Sequence, residues 1–438
     1  MIASSLAIKP ISHPLNATVR VPGSKSLTNR ALLIAALANG TTRLTNALFS
    51  DDSRYFAKAL QTLGFDIQLN EVNHKMTVTG LGGKIPATKA ELFIGNAGTA
   101  ARFLSAFLTL GNGEYILDGE PRMRERPIGD LVDALQQLGA EISPLSQRER
   151  AEGEGEVNKI CPPVKITANG LPGGKTTIAG DISSQFLSAL LMVAPYAQNP
   201  IEVTLTTELN SKPYVDMTIA IMKDFGVDVE RESYNSFTIR PASYLPVTNY
   251  QIESDASAAS YFFAAPVICG GTVRVENISR NSKQGDIAFL HVLQQMGCTV
   301  EETDNCLLVT GSTELHGIDI DMRDISDTAQ TLAAIAPFAS SPTRIRGIAS
   351  ARVKETDRVH ATCTELTRLG VQVEENEDGM TIHPCEKMRP AIIQTYNDHR
   401  MAMSFSLIGL RCEGVEIENP SCVSKTFPNF FEVLDTLR

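Results

Sequence analysis

Six segments of this chain open with a polar or charged cluster and run straight into an Ala-rich apolar helix pattern. They begin at Lys25-Ser26 (KSLTNRALLIAAL), Asn96 (NAGTAARFLSAFL), Ser183-Ser184 (SSQFLSALLMVA), Asp255 (DASAASYFFAAP), Asp327 (DTAQTLAAIAPFA) and Asp398 (DHRMAMSFSLIGL). Each continues through a Gly- or Pro-marked turn into a short β-branched strand, then a second helix, then further strands. The second helices run into Leu63-Gly64, Leu138-Gly139, Phe225-Gly226, Met296-Gly297 and Leu369-Gly370, with 430–437 as a shortened sixth. A period of about 70–90 residues is too long for a solenoid unit and suits a βαβαββ module. The Ala-rich helices show little polar periodicity, which predicts burial on most sides. The fold class is therefore α/β (α+β), built from six modules with buried helices.

The sixth module lacks closing strands, while SLAIKP stands ahead of the first module as an orphan strand. The economical solution lets the N-terminus complete the last module. Two domains of three modules each follow: 22–253, and 1–21 plus 254–438. The chain then crosses between domains near Val21-Pro22 and near Ile252–Asp255. Pro127 and Pro213 are expected in helical first turns, where a fixed φ helps and no N–H is lost. The stretch 147–163 (QRERAEGEGEVNKICPP) is charged and Gly-rich and reads as a surface loop.

A net charge of −11 with no basic tract argues against nucleic acid as a partner, since that binding needs many phosphate contacts. The eight cysteines are scattered without a C-x-x-C pair, which reads as reduced thiols in a cytoplasmic protein. MIASSLAIKP lacks a basic start and an apolar core, so no secretory signal is expected, and the apolar runs are too short to span a membrane.

Each buried helix starts with polar groups, and a helix N-terminus carries about half a positive charge with free N–H groups. In VPGSKSLTNR, Lys25, Ser26 and Arg30 fall near a helix start, with Ser26 and Arg30 one turn apart. The P-loop spacing is absent. NAGTAAR brings Gly98 to a helix start where backbone can approach a ligand. Ser183, Ser184 and Gln185 exceed what one cap needs, which favours a phosphate ligand. RVKETDR (352–358) and YNDHRMAM (396–403) are the most unusual strings. The first combines one acid, Glu355, with the cations Lys354 and Arg358, and Arg126, Lys354, Arg358, Arg400 and Lys425 all fall at corresponding helix starts of their modules. Cations at N-termini oppose the dipole, so several of them call for a multiply charged anion.

These strings together resemble the 5-enolpyruvylshikimate-3-phosphate synthase family of enolpyruvyl transferases. The matching strings are PGSKSLTNRALLIAALA, NAGTAAR, GEPRMRERPIG, SSQFLSALL, SKPYVDMT, SDASAASYF, RNSKQGD, RVKETDR, YNDHRMAM and KTFPNFF, in the family's order. The resemblance implies two domains of the inverted α/β barrel type, each of three βαβαββ units with parallel buried helices, with the active site in the cleft between them. It implies enolpyruvyl transfer from phosphoenolpyruvate to the 5-hydroxyl of shikimate 3-phosphate, through a tetrahedral intermediate, with release of phosphate. Carried over by position, Lys25, Ser26, Arg30, Ser183, Ser184, Gln185, Ser211, Tyr214, Asp327, Ser350 and Lys354 bind shikimate 3-phosphate. Lys25, Gly98, Arg126, Gln185, Arg358, Arg400 and Lys425 surround phosphoenolpyruvate. Asp327 takes the 5-hydroxyl proton, Glu355 protonates the methylene carbon, and Lys25 completes the catalytic set. His399 supports the site or serves the fold. No cofactor and no metal are expected; the seven histidines show no ligand spacing. The chain is expected to work as a cytoplasmic monomer on small-molecule substrates, without nucleic acid or membrane.

Three positions depart from the family's habit: Ser350 stands where Asn is common, and Ala101 and Phe103 flank Arg102 where Met and Pro are familiar. Retention of Gly98 and Thr99 favours sensitivity to glyphosate, the family's known inhibitor, although Phe103 is a residue able to shift this helix. The rival readings are the sister transferase acting on UDP-N-acetylglucosamine, which relies on a loop cysteine, and a six-repeat clamp. Arg126 occupies the comparable region here, and Cys161 is the only cysteine before residue 200.

Overall fold

The structure, a computed structural model, describes residues 5–145, 160–304 and 306–438. Most of the charged stretch 147–163 lies outside the described residues. The chain divides into two compact units: Gly23–Ile252, here the central unit, and Met1–Pro22 with Glu253–Arg438, here the terminal unit. Each has its own hydrophobic core.

The central unit carries α1 (Lys25–Leu37), α2 (Asp51–Thr62), α3 (Gly98–Phe107), α4 (Gly129–Gln137), α5 (Ser184–Val193) and α6 (Lys212–Asp224). The terminal unit carries α7 (Ala256–Cys269), α8 (Phe289–Gln295), α9 (Ala329–Ile335), α10 (Arg358–Arg368), α11 (His399–Gly409) and α12 (Phe430–Asp435). In each module the first helix is buried nearly all round, as an all-apolar helix requires. Helices α1, α3 and α5 pack together, as do α7, α9 and α11. Contacts within their first two turns show that they run parallel. Arg30 of α1 reaches Ser188 of α5 and lies over the Phe103 ring of α3. Ser260 of α7 is 3.0 Å from Thr331 of α9, and Arg400 of α11 meets Tyr261 of α7.

Among the described residues, five four-stranded sheets and one three-stranded sheet cover these helices. A parallel pair forms one edge and antiparallel strands follow, as in Lys89–Phe93 beside Asn112–Asp118, with Lys89 opposite Glu114. Each unit closes with a strand from the far end of its own sequence. Tyr250–Gln251 pairs with Asn39–Thr45 in the central unit, and Leu15–Val19 pairs with Gly271–Glu276 in the terminal unit. The orphan strand finds its place in the three-stranded sheet: Ser5–Ala7 runs antiparallel to Val415–Glu418, with Ser5 opposite Glu418.

The Leu-Gly stops are one motif used five times. In α2, the Gly64 N–H donates to the Gln61 carbonyl and the Phe65 N–H to the Leu60 carbonyl, the paired bonds of a Schellman cap. The same pairs recur after α4, α6, α8 and α10. The glycines at 64, 139, 226, 297 and 370 have φ between 85° and 104°, a region closed to most L-residues. The expectation for Pro213 holds, within the first turn of α6. Pro127 does not fit it: α4 starts at Gly129, and Pro127 precedes it with its carbonyl accepting from Arg102.

The N-terminal segment is held by more than its strand. The Ile8 N–H donates to the Val415 carbonyl at 2.9 Å, and the Ile8 side chain is buried against Gly409 of α11. Ile8→Ala is expected to cost about 2–4 kcal/mol, the range for emptying such a site, read as a lower urea midpoint for the terminal unit. An unchanged midpoint means that the N-terminal strand contributes nothing to that unit.

Candidate active site

In the central unit the three first-helix starts gather cations. Ser24 caps α1, accepting from the Leu27 N–H, and the next residue, Lys25, places Nζ 3.6 Å from Asp52 of α2. Arg30 is buried. Its Nε donates to Thr218 Oγ1 at 2.7 Å, and its other donors reach Ser188 Oγ and the carbonyls of Ser26 and Tyr214. All four acceptors are neutral, and burial lowers the guanidinium to about 10. Tyr214 also places its ring 5.9 Å below Arg30.

On α3, Gly98 leaves room for two further guanidiniums. A Cβ built there lies 2.5 Å from Arg126 Nη2 and 2.8 Å from Arg102 Nη1. Arg126 is buried and donates to both the carbonyl and the side-chain oxygen of Asn96. At α5, Ser183 caps the helix by accepting from the Gln185 N–H, and Ser184 is buried beside it. Ser211 holds a left-handed backbone (φ 56°) just before α6, an unusual state for a residue with a Cβ. Lys25, Ser26, Arg30, Ser183, Ser184, Gln185, Ser211, Tyr214, Gly98 and Arg126 thus all stand at or within two turns of helix starts of one unit. Phe103, which sequence reading treated as a possible disturbance to this helix, is buried against Phe56 and beneath Arg30.

The terminal unit builds a different centre. Asp327 sits in the turn Ser326–Thr328 that enters α9. Lys354 Nζ and Arg358 Nη1 donate to its Oδ1 at 2.8 and 3.1 Å, and Arg400 Nη2 donates to Oδ2 at 2.7 Å. Arg358 is the hub: it also grips Asp398 through Nε at 2.8 Å and Glu355 through Nη2 at 2.7 Å. Burial pulls this guanidinium down, but the charges of Asp398, Glu355 and Asp327 outweigh that and hold it above its ordinary value. Lys425 Nζ lies 4.0 Å from Glu355 Oε1. Asp398 caps α11 by accepting from the Arg400 N–H, and buried His399 places Nδ1 3.4 Å from the same carboxylate. Ser350 is half-buried in the turn Ala349–Val353, ahead of Lys354. The sequence reading put these cations at helix starts. Arg358 and Arg400 are in first turns, whereas Arg126, Lys354 and Lys425 lie in the segments leading into α4, α10 and α12.

Sequence reading assigned no role to three residues that belong to these centres. Arg102 lies four residues after Gly98, one helical turn, so i,i+4 spacing was available as a signal. Asp52 reads as an ordinary first-turn acid of α2, and nothing local ties it to Lys25. Asp286 is buried behind the terminal centre and accepts a bond from Ser257 of α7. Among the described residues no group of three or more His, Cys, Asp or Glu is arranged to hold a metal ion, and no helix is long and apolar enough to cross a membrane.

Burial, then the charge of Asp327, raises Asp286 to about 6. A raised acid is stable in its neutral form, so its contribution is full below the unfolded value of about 3.9 and is lost as pH rises to about 6. Asp286→Asn removes this loss. The variant is expected to match the parent near pH 4 and to exceed it on the order of 2–3 kcal/mol at pH 7, measured by paired denaturation curves. A difference that does not change with pH contradicts the assignment.

A family model of EPSP synthase (3-phosphoshikimate 1-carboxyvinyltransferase) matches residues 9–434. A 3-phosphoshikimate 1-carboxyvinyltransferase of Trichormus variabilis is 51% identical over 427 residues, covering 98% of this chain and 97% of the relative. One from a Sulfurovum species is 50% identical over 436 residues, covering 99% of each. The solved EPSP synthase of Acinetobacter baumannii superimposes with a TM-score of 0.80 at 28% identity, covering 98% of this chain and 97% of that one. A match that runs through both units and every helix start described above leaves one conclusion: the chain is a transferase and belongs to the EPSP synthase family.

Proposed function

We propose that the cations of both units and the acids of the terminal unit serve one reaction, enolpyruvyl transfer from phosphoenolpyruvate to the 5-hydroxyl of shikimate 3-phosphate. The observation that carries this reading is Asp327, whose two oxygens are held by Lys354, Arg358 and Arg400. A carboxylate so held stands where an anionic substrate group is to bind. Phosphoenolpyruvate brings a carboxylate and a phosphate, both suited to guanidinium forks. When these groups take over the cations, the oxygens of Asp327 become available to the 5-hydroxyl.

The chemistry then divides among the residues. Glu355 delivers a proton to the methylene carbon, and the adjacent carbon gains cationic character. The 5-hydroxyl oxygen attacks it as Asp327 accepts the hydroxyl proton. The tetrahedral adduct next returns a methyl proton to Glu355 while the C–O bond to phosphate breaks, and the proton on Asp327 leaves with phosphate. Arg126, Arg358, Arg400, Lys25, Lys425, Gln185 and the backbone at Gly98 bind phosphoenolpyruvate. Ser26, Arg30, Ser183, Ser184, Ser211, Tyr214, Ser350 and Lys354 hold shikimate 3-phosphate, with Lys25 and Gln185 between the two substrates. The chain acts in the cytoplasm as a monomer, and glyphosate inhibits it.

Asp327→Asn and Glu355→Gln are each expected to lower turnover about 10²–10⁴-fold, measured as phosphate released only when both substrates are present. Solvent exchange of the methyl protons separates them: Glu355→Gln loses exchange together with turnover. Near-normal turnover in both variants removes both assignments. The three atoms nearest to the Cβ that Gly98→Ala adds are all in the guanidiniums of Arg126 and Arg102, the flexible ends of those side chains. The variant is expected to keep its thermal midpoint while its KM for phosphoenolpyruvate rises about tenfold, the loss of one charged hydrogen bond. An unchanged KM takes Arg126 out of that subsite.

A further inference from the structure

The turn that delivers Asp398 and Arg400 is held in a conformation its sequence does not favour. Tyr396 and Asn397 both have φ 54°, in the left-handed region. Asparagine tolerates that region and supplies four of the eight non-glycine residues found there among the described residues, at 46, 277, 397 and 419. Tyrosine does not tolerate it. The corresponding module of the central unit makes the comparison within one chain. Two residues before the cap of α3 stands Gly95, with φ 56°, and two residues before the cap of α11 stands Tyr396. The left-handed position two residues before the cap is met by glycine in one module and by an aromatic residue in the other, and only the second module follows it with another left-handed residue, Asn397.

What holds Tyr396 there is Glu365 of α10, whose side chain is fully buried. Its Oε1 accepts from the Tyr396 hydroxyl at 2.8 Å and its Oε2 from the Gln394 N–H at 3.1 Å. Arg368, on the same helix, neutralises the carboxylate at 3.0 Å. Glu365 lies seven residues after Arg358, two turns along one face of α10. That face therefore grips the segment 394–400 twice: Glu365 holds its start, and Arg358 holds Asp398. Burial and the Glu365 carboxylate push the Tyr396 phenol up to about 12, so it stays a donor at any working pH.

We propose that Glu365 is a positioning residue for Arg400: by clamping Gln394 and Tyr396 it keeps the strained turn wound, so that Asp398 caps α11 and Arg400 faces Asp327. This rests on the assignment of Arg400 to phosphoenolpyruvate made above. Strain of this kind persists where surrounding structure over-determines it, and it gathers at functional sites.

The test compares steady-state kinetics of Tyr396→Phe, Glu365→Gln, Glu365→Ala and Arg400→Lys. Tyr396→Phe removes one hydroxyl from a partly exposed ring, and its KM for phosphoenolpyruvate is expected to rise about tenfold while that for shikimate 3-phosphate is unchanged. Glu365→Gln keeps one acceptor for the turn and is expected to fall between the parent and Glu365→Ala. If Glu365→Ala does not fold, the Tyr396→Phe and Glu365→Gln pair carries the comparison. The inference is overturned if both leave the KM for phosphoenolpyruvate at the parent value while Arg400→Lys raises it. Equal rises for both substrates also overturn it, since they mark general loosening. If Arg400→Lys has no effect either, the assignment of Arg400 fails first and the inference falls with it.

Discussion

Three parallel helices, each buried on almost every side, place three positive dipole ends together in each unit, and the rest of the molecule answers that constraint. The N–H groups at a buried helix start need acceptors, and the gathered partial charge favours anions. The two units meet the demand differently. In the terminal unit, Asp255 and Asp398 cap α7 and α11, and Asp327 stands in the turn entering α9. In the central unit the corresponding caps are Ser24, Ala97 and Ser183, with no acid in any of the three first turns. There the dipole ends are joined by Lys25, Arg30, Arg102 and Arg126. One unit thus has acids at these helix starts, and the other gathers cations there.

The same contrast shows in the ion pairs: in the terminal unit Asp327 has three cations on two oxygens. Arg358 binds this group into one object, since it touches Asp327, Glu355 and Asp398 at once. Removing one member of such a buried set leaves its partners uncompensated, which typically costs 3–5 kcal/mol. The cluster is therefore stiff in composition, while the acceptors on its cations remain exchangeable.

Much of this was legible in the sequence because it is local. Helix starts show as Ser, Asp or Asn ahead of an apolar run, and helix ends show as Leu-Gly, where a Schellman cap needs a left-handed residue. The module count, both crossings and the return of the N-terminus to the last sheet follow from those signals. The long-range pairings were hidden. Nothing near Asp52 points to Lys25, nothing near Ser257 points to Asp286, and Glu365 reads as one more acid on an amphipathic helix. Pro127 was misplaced because GEPRMRERPIG folds into a short turn before α4 begins, and a first-turn proline and a preceding proline look alike in sequence.

Resemblances between modules make their differences informative, because a left-handed position recurs two residues before the cap while the side chain on it changes. At the first turn of α3 the chain places Gly95, Ala97 and Gly98, which leaves space beside Arg102 and Arg126. At the same turn of α11 it places Tyr396, Asp398 and His399; the carboxylate and imidazole are buried there, while the ring is exposed and its hydroxyl donates to Glu365. The emptied turn suits a bound group approaching backbone N–H donors; the filled turn suits a fixed guanidinium. A glycine costs conformational entropy and a left-handed tyrosine costs strain, so neither choice is favoured by folding alone. On the reaction proposed above, what each choice answers to is substrate, admitted at the glycine turn and met at the other by the cation held there.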